Sequence, residues 1–232
     1  MVATRAAGEN GGVRTRLIAA ATRLFAERGF DATPIQAIAD EVGLTKPALI
    51  HHFPSKEHLR REVLASTLAY WNETLPRLLL AATASGERFD AVFGEVYRFF
   101  ALDPERARFI AREALDRPVE MRKLLRGIAP VIAAIAGYIR TGQEHGRHYE
   151  DVDPEAYVLH ALQLVIGAAA LSSVTAPALG AATEGRARYD RELTRIAKAS
   201  LFAPRAPSRG RIPVDHTPDV GARKKRRRRR RT

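Results

Sequence analysis

Within the six residues from Lys46 to His51, the side chains of Lys46, Pro47, Ile50 and His51 share one side of a helix when Leu49 and Phe53 face inward. That side combines an ammonium group, an imidazole and two compact apolar surfaces. Such a set suits base-pair edges: a lysine reaches guanine O6 and N7 or a phosphate, and a proline ring or isoleucine meets a thymine methyl. Ten residues earlier, Gln36 offers the amide that pairs with adenine N6 and N7. A helix delivers such groups into a major groove only if its rear is packed and its first turn is presented.

The surrounding residues supply that support. Thr33 is expected to cap one short helix, with Pro34 at its first position and Gln36 closing a capping box, and Ile35, Ile38, Ala39 and Val42 form its apolar stripe. Gly43 provides a left-handed stop, Leu44 packs back, and Thr45 caps the next helix. Upstream, Arg14 to Arg28 reads as a helix with Leu17, Ala21, Leu24 and Phe25 on one face, ended by Gly29, with Phe30 placed to touch Phe25. Downstream, Ser55 caps a long helix. Two short helices about a glycine turn make a helix-turn-helix, although the same spacing also suits a helical hairpin that only packs.

The stretch Leu24–Leu59, LFAERGFDATPIQAIADEVGLTKPALIHHFPSKEHL, resembles the TetR family of bacterial transcriptional regulators. The resemblance covers the N-terminal quarter in detail, and the remainder agrees in length and helical character. It implies an all-α homodimer: an N-terminal three-helix domain binds palindromic double-stranded operator DNA, and a larger helical domain binds a small-molecule effector and dimerises. Carried over by position, base reading falls on Gln36, Lys46, Pro47 and Ile50, with phosphate contacts from Thr45, His51, His52 and Lys56; Thr33 and Ala48 complete the expected DNA-binding set. Ile50 departs from the family, which very often carries Tyr there, so an operator inferred from relatives does not transfer.

Composition bounds the rest. At 232 residues and 46% hydrophobic, the chain can bury a substantial core in one or two domains. The absence of cysteine excludes disulfides, thiolate chemistry and Cys-based zinc sites. No apolar run approaches a membrane span and no signal peptide is evident, so a cytoplasmic protein is expected. The net charge of +12 is unevenly placed: twelve cations and two carboxylates lie in Pro204–Thr232, leaving only +2 for the first 203 residues. Residues 1–12 read as a flexible arm, 13–61 as the helix-turn-helix domain, 62–203 as the helical body, and 204–232 as a disordered Arg-rich tail. The tail is either an arm that adds phosphate contacts or an extension without a role. It also supports the alternative function, a nonspecific nucleic-acid or polyanion binder with a helical body.

From Glu62 to Phe202 the pattern is helix after helix, predicted over 55–80, 87–101, 104–116, 118–142, 154–174 and 186–202. The helix from Pro154 is apolar on nearly every side, and its small run Gly167–Ala170 suits close approach of another backbone. With the final helix, including Ile196 and Leu201, it is expected to form a four-helix dimer interface. Effector-pocket candidates are Trp71, Phe99, Phe100, Phe109, Arg112, Glu113, Met121, Tyr138, His160 and Gln163, with Arg117 beside them; ordinary core packing is the competing reading for the aromatic ones. No phosphate-cradling glycine loop, nucleophile elbow or metalloprotease motif is present, so neither an enzyme nor a cofactor is expected. His145 and His148 among nearby carboxylates read as a polar loop rather than a metal site, and Asp153 with Pro154 caps the following helix.

Overall fold

Side-chain caps set the starts of three helices. In the computed structural model, which describes residues 2–81 and 85–203, Thr45 Oγ1 accepts from the Ala48 N–H at 3.3 Å, Ser55 Oγ from His58 at 3.0 Å, and Asp153 Oδ1 from Ala156 at 2.8 Å. Each thereby satisfies a backbone donor that the first helical turn leaves unpaired. The resulting order is α1 (Val2–Arg28), α2 (Ile35–Glu41), α3 (Lys46–His52), α4 (Lys56–Ala81), α5 (Ser85–Ala101), α6 (Pro104–Asp116), α7 (Pro118–Gly127), α8 (Ala129–Glu144), α9 (Pro154–Thr175) and α10 (Ala182–Ala199). A 3₁₀ turn, Ala176–Leu179, joins the last two. Among the described residues the only strand-like pairing is a single bridge between His148 and Phe202.

Three expectations about these elements change. Helix α1 begins at Val2, so residues 2–12, expected as a flexible arm, carry helical backbone. The single helix predicted over 118–142 is two helices bent by 58° at Ile128. Pro130 is the cause, because its ring has no N–H to donate and clashes with the carbonyl four residues back. The expected absence of any apolar run of membrane-spanning length also fails by composition. Pro154–Leu179 is 26 residues long and contains an 18-residue stretch with a mean hydropathy of 1.7. The helix packs against α5, α6, α8 and α10. The stretch 204–232, expected as a disordered tail, lies outside the described residues.

Two cores result. The first joins α1, α2, α3 and the start of α4 through Leu17, Leu24, Phe25, Ile38, Leu49, Phe53 and Leu59, all buried. The second lies among α5, α8, α9 and α10 and includes Phe93, Ile139, Val165 and Leu201. Each fully buried Leu or Phe contributes roughly 1.5–3 kcal/mol, so either cluster far outweighs any surface ion pair. Helix α6 runs between the cores, packing on α1 and α9. The small run on α9 serves that packing: Ala168, Ala169 and Ala170 are buried within the subunit, and Arg108 of α6 donates to the Ala170 carbonyl at 3.2 Å.

Candidate nucleic-acid interface and effector cavity

Glycine geometry sets the angle between α2 and α3. Gly43 adopts φ +72°, the Leu44 N–H donates to the Ala39 carbonyl at 2.9 Å, and the Gly43 N–H donates to the Asp40 carbonyl at 3.1 Å. These are the two bonds of a Schellman stop, and a β-carbon at Gly43 would strain the left-handed backbone. Gly29 ends α1 with a single bond from its N–H to the Phe25 carbonyl at 3.0 Å and φ +81°, and Phe30 meets Phe25 with ring centroids 5.3 Å apart, as the spacing predicts.

With Leu49 and Phe53 fully buried, α3 presents its other face. Thr45, Lys46, Pro47 and His51 are exposed, while Ala48, Ile50 and His52 are half-buried along its edge. Gln36 is exposed on α2, where its Nε2 donates to Asp40 Oδ1 at 2.6 Å. Arg14 was not anticipated here. It donates to the His52 carbonyl at 3.2 Å, lies 4.4 Å over the Phe53 ring and pairs with Glu62 at 2.5 Å. A cation on the last carbonyls of α3 complements the helix dipole and holds the rear of the helix.

Two expected members leave this face. Thr33 is fully buried and caps nothing: α2 starts at Ile35 with Pro34 in the cap position, and Thr33 Oγ1 donates backward to the Gly29 carbonyl at 2.7 Å. The capping box with Gln36 is therefore not formed. Lys56, expected on a phosphate, donates to the carbonyls of Phe30 at 2.9 Å and Thr33 at 3.0 Å, with its ammonium 4.4 Å over the Phe30 ring. Both residues secure the loop between α1 and α2.

Several effector-pocket candidates also have other tasks. Phe109 belongs to the first core, stacked on Phe25 at 6.0 Å. Glu113, 4% exposed, forms an ion pair with Arg60 at 2.6 Å, joining α4 to α6. Arg112 donates to the Glu27 carbonyl at 3.2 Å, and Arg117 pairs with Asp31 at 2.7 Å while lying 4.3 Å over Phe30. These four residues couple the body to the helix-turn-helix. Met121 is buried on α7, and Phe99 and Phe100 pack in the second core, Phe99 stacking on Tyr70 at 4.5 Å. His160 and Gln163 are exposed along a shallow groove between α9 and α10.

A cavity of about 180 Å³ does exist, walled by α4, α5, α8 and α9. Of the ten candidates, Trp71 and Tyr138 line it. Most of its wall is aliphatic or phenyl: Val92, Phe93, Ile132, Ile135, Val158 and Val165 are representative. These residues look like core in the sequence, since periodicity reports that a face is covered and not what covers it. Beside it, His148 is buried with Nδ1 2.9 Å from the Ile139 carbonyl, and desolvation holds its pKa below the ordinary value. His145 is instead exposed, its Nδ1 2.7 Å from the Thr141 carbonyl.

Comparison with known proteins bears first on the helix-turn-helix. Residues 17–63 match the model for bacterial regulatory proteins of the tetR family. The transcriptional repressor KstR2 of Mycolicibacterium smegmatis is 36% identical over 80 residues, covering 34% of this chain and 39% of that protein. The transcriptional regulator RutR of Escherichia coli is 31% identical over 134 residues, covering 55% of this chain and 62% of its own length. The chain thus spans between about a quarter and three fifths of the length of the curated relatives it matches. The solved structure of the ketosteroid regulator KstR2 of Mycobacterium tuberculosis superposes with a TM-score of 0.66 at 20% identity, over 82% of this chain and 95% of that one, a likeness of fold. Residues 17–63 thus carry the helix-turn-helix of the tetR family of bacterial regulatory proteins, and the helical body shares its fold with a solved regulator.

Proposed function

We propose that this protein is a transcriptional repressor that binds a palindromic operator as a homodimer and releases it when a small molecule enters the cavity of the helical body. The observation that carries the reading is the face of α3: Lys46, Pro47 and His51 stand exposed over a fully buried Leu49 and Phe53, within the segment that matches the tetR-family model. The repressor role is that of the relative KstR2. Lys46 reads guanine or a phosphate, and Pro47 and Ile50 meet thymine methyls. Gln36 leaves Asp40 to pair with a base, while Thr45, Ala48, His51 and His52 approach the backbone. The protein acts by binding rather than by catalysis, beside the chromosome in the cytoplasm.

The second copy docks on α9 and α10. Leu164, Leu171 and Val174 of α9 and Ile196 of α10 are exposed apolar residues, with Leu171 56% and Val174 74% accessible. Water-exposed aliphatic groups spaced along a central helix are the material of a two-fold interface. A ligand alters affinity for DNA only by preferring one separation of the two reading heads over another. The link is α6, which meets the cavity-bearing body on one side and holds Glu113 on Arg60 on the other.

Selection of bound duplexes from a randomised pool tests the reading. An enriched two-fold symmetric site is expected, surviving excess random duplex, and Lys46→Ala should weaken it by roughly 10-fold or more, the worth of one base contact. Equal competition by random DNA would instead assign binding to the Arg-rich tail.

A further inference from the structure

The cavity between α4, α5, α8 and α9 holds no polar group in reserve. Among the described residues lining it, side-chain nitrogen or oxygen belongs only to Trp71, Asn72, Arg88, Tyr138 and Tyr157. Tyr157 donates its hydroxyl to the Ala197 carbonyl at 2.5 Å, Asn72 is exposed, and Trp71 packs edge-on against Tyr70 and Phe99 with centroids 5.1 Å apart in each case. The Arg88 guanidinium lies 5.3 Å over the Tyr138 ring, and both of these side chains are engaged with the protein. The main-chain donors and acceptors of the wall are used within its helices. Among the described residues, buried side-chain atoms without a hydrogen-bond partner occur on Arg60, Glu105, Arg117 and His148, and none of these lines the cavity. A pocket selective for a polar ligand carries a few convergent polar groups whose partner is that ligand. No such set converges here.

We infer that this cavity selects an uncharged, hydrocarbon-like ligand, held by contact alone without an ion pair or a hydrogen bond. That such a ligand acts as the effector rests on the reading of this cavity as the effector site. The selection works by exclusion: a polar group carried inside loses its water and finds no partner, and a charged one loses far more. An apolar body meets no such cost. Cavities of this order of size walled by aliphatic and phenyl groups stay dry and take apolar guests. Size limits the guest as well. At roughly 10–15 Å³ for each water-sized occupant, the volume of about 180 Å³ takes about 12 to 18 non-hydrogen atoms. Occupancy is placed to reach the DNA-facing domain, because the lining residue Ile128 is the bend between α7 and α8. Helix α7 begins directly after Arg117, which holds Asp31 and Phe30 of the helix-turn-helix.

Trp71, the single tryptophan of the chain, stands on the cavity wall and so reports occupancy through its emission. Emission titrations of the full chain, alone and on its selected operator, with biphenyl, 4-hydroxybiphenyl and biphenyl-4-carboxylate test the inference, since the three differ in polarity within the size range above. Biphenyl is expected to bind, the phenol to bind roughly 10-fold more weakly, and the carboxylate roughly 100-fold or more weakly. Val92→Phe on α5 and Val158→Phe on α9 each add a ring to the lining, and each should weaken biphenyl binding while urea unfolding stays cooperative. Absence of biphenyl binding, a carboxylate bound as tightly as the hydrocarbon, or unchanged biphenyl binding in a variant that still unfolds cooperatively would each overturn the inference. Binding in the expected order that leaves operator affinity unchanged would support this ligand class and reject the effector role proposed above, so the two failures are distinct.

Discussion

At the residue scale, His148 is tightly enclosed. Its ring fills the space over Gly142, where a β-carbon would come within 1.9 Å of Nδ1, and it meets Phe202 edge-on at 4.8 Å. Burial disfavours the imidazolium, Arg147 adds to that, and the bond to the Ile139 carbonyl opposes it only in part. The neutral form is therefore favoured in the folded chain, and the unfolded chain takes up the proton first. Stability from this group is fully present above its unfolded pKa of about 6.5 and is lost as pH falls through that value toward the lower folded one. Urea midpoints at pH 7.5 and pH 5 should show a larger acid loss for the parent protein than for His148→Phe, and equal losses would mean that His148 does not titrate between folded and unfolded states.

At the scale of elements, the helix-turn-helix and the body communicate through unequal ion pairs. Arg60 and Glu113 are buried together, whereas Asp31, partner of Arg117, has a side chain 90% exposed. Removing one member of a buried pair strands a charge and costs about 3–5 kcal/mol, while an exposed pair contributes 1 kcal/mol or less. Denaturant unfolding should thus report a loss of about 3–5 kcal/mol for Glu113→Ala, a smaller loss for Glu113→Gln, and under 1 kcal/mol for Asp31→Ala. Comparable values for Glu113→Ala and Asp31→Ala would contradict this ranking.

The same contrast explains what was legible in the sequence. Caps at Thr45, Ser55 and Asp153 and the stops at Gly29 and Gly43 depend on neighbours within a few residues, so their signals are local. Thr33 carries the same signal yet turns its hydroxyl back to α1, a choice set by the closing of the loop. Pro130 marked the α7–α8 bend, but the apolar pattern continues across it and disguises the break. The exposed face of α3 followed from the inward positions of Leu49 and Phe53. The cavity did not, because its wall is assembled from residues as far apart in the sequence as Leu68 and Leu201, and no local pattern distinguishes a lining Val92 or Ile132 from a packed one.

For the whole molecule, the proposed reading helix α3 is short, and the few base contacts such a helix can make give limited discrimination. Two copies related by a two-fold axis double the contacts and impose a spacing on the site. That arrangement joins the exposed aliphatic residues of α9 and α10, the placement of α6 between the cores, and the outward face of α3 in one mechanism. Hydroxyl-radical footprinting of the full chain on its selected site, with the protein-to-DNA ratio determined on the same complex, measures it most directly. Two chains per duplex and two protected half-sites centred about 34–36 Å apart are expected, both lost together in a chain carrying Lys46→Ala and Pro47→Ala. A single chain per duplex, or protection that ignores sequence and survives those substitutions, would contradict it.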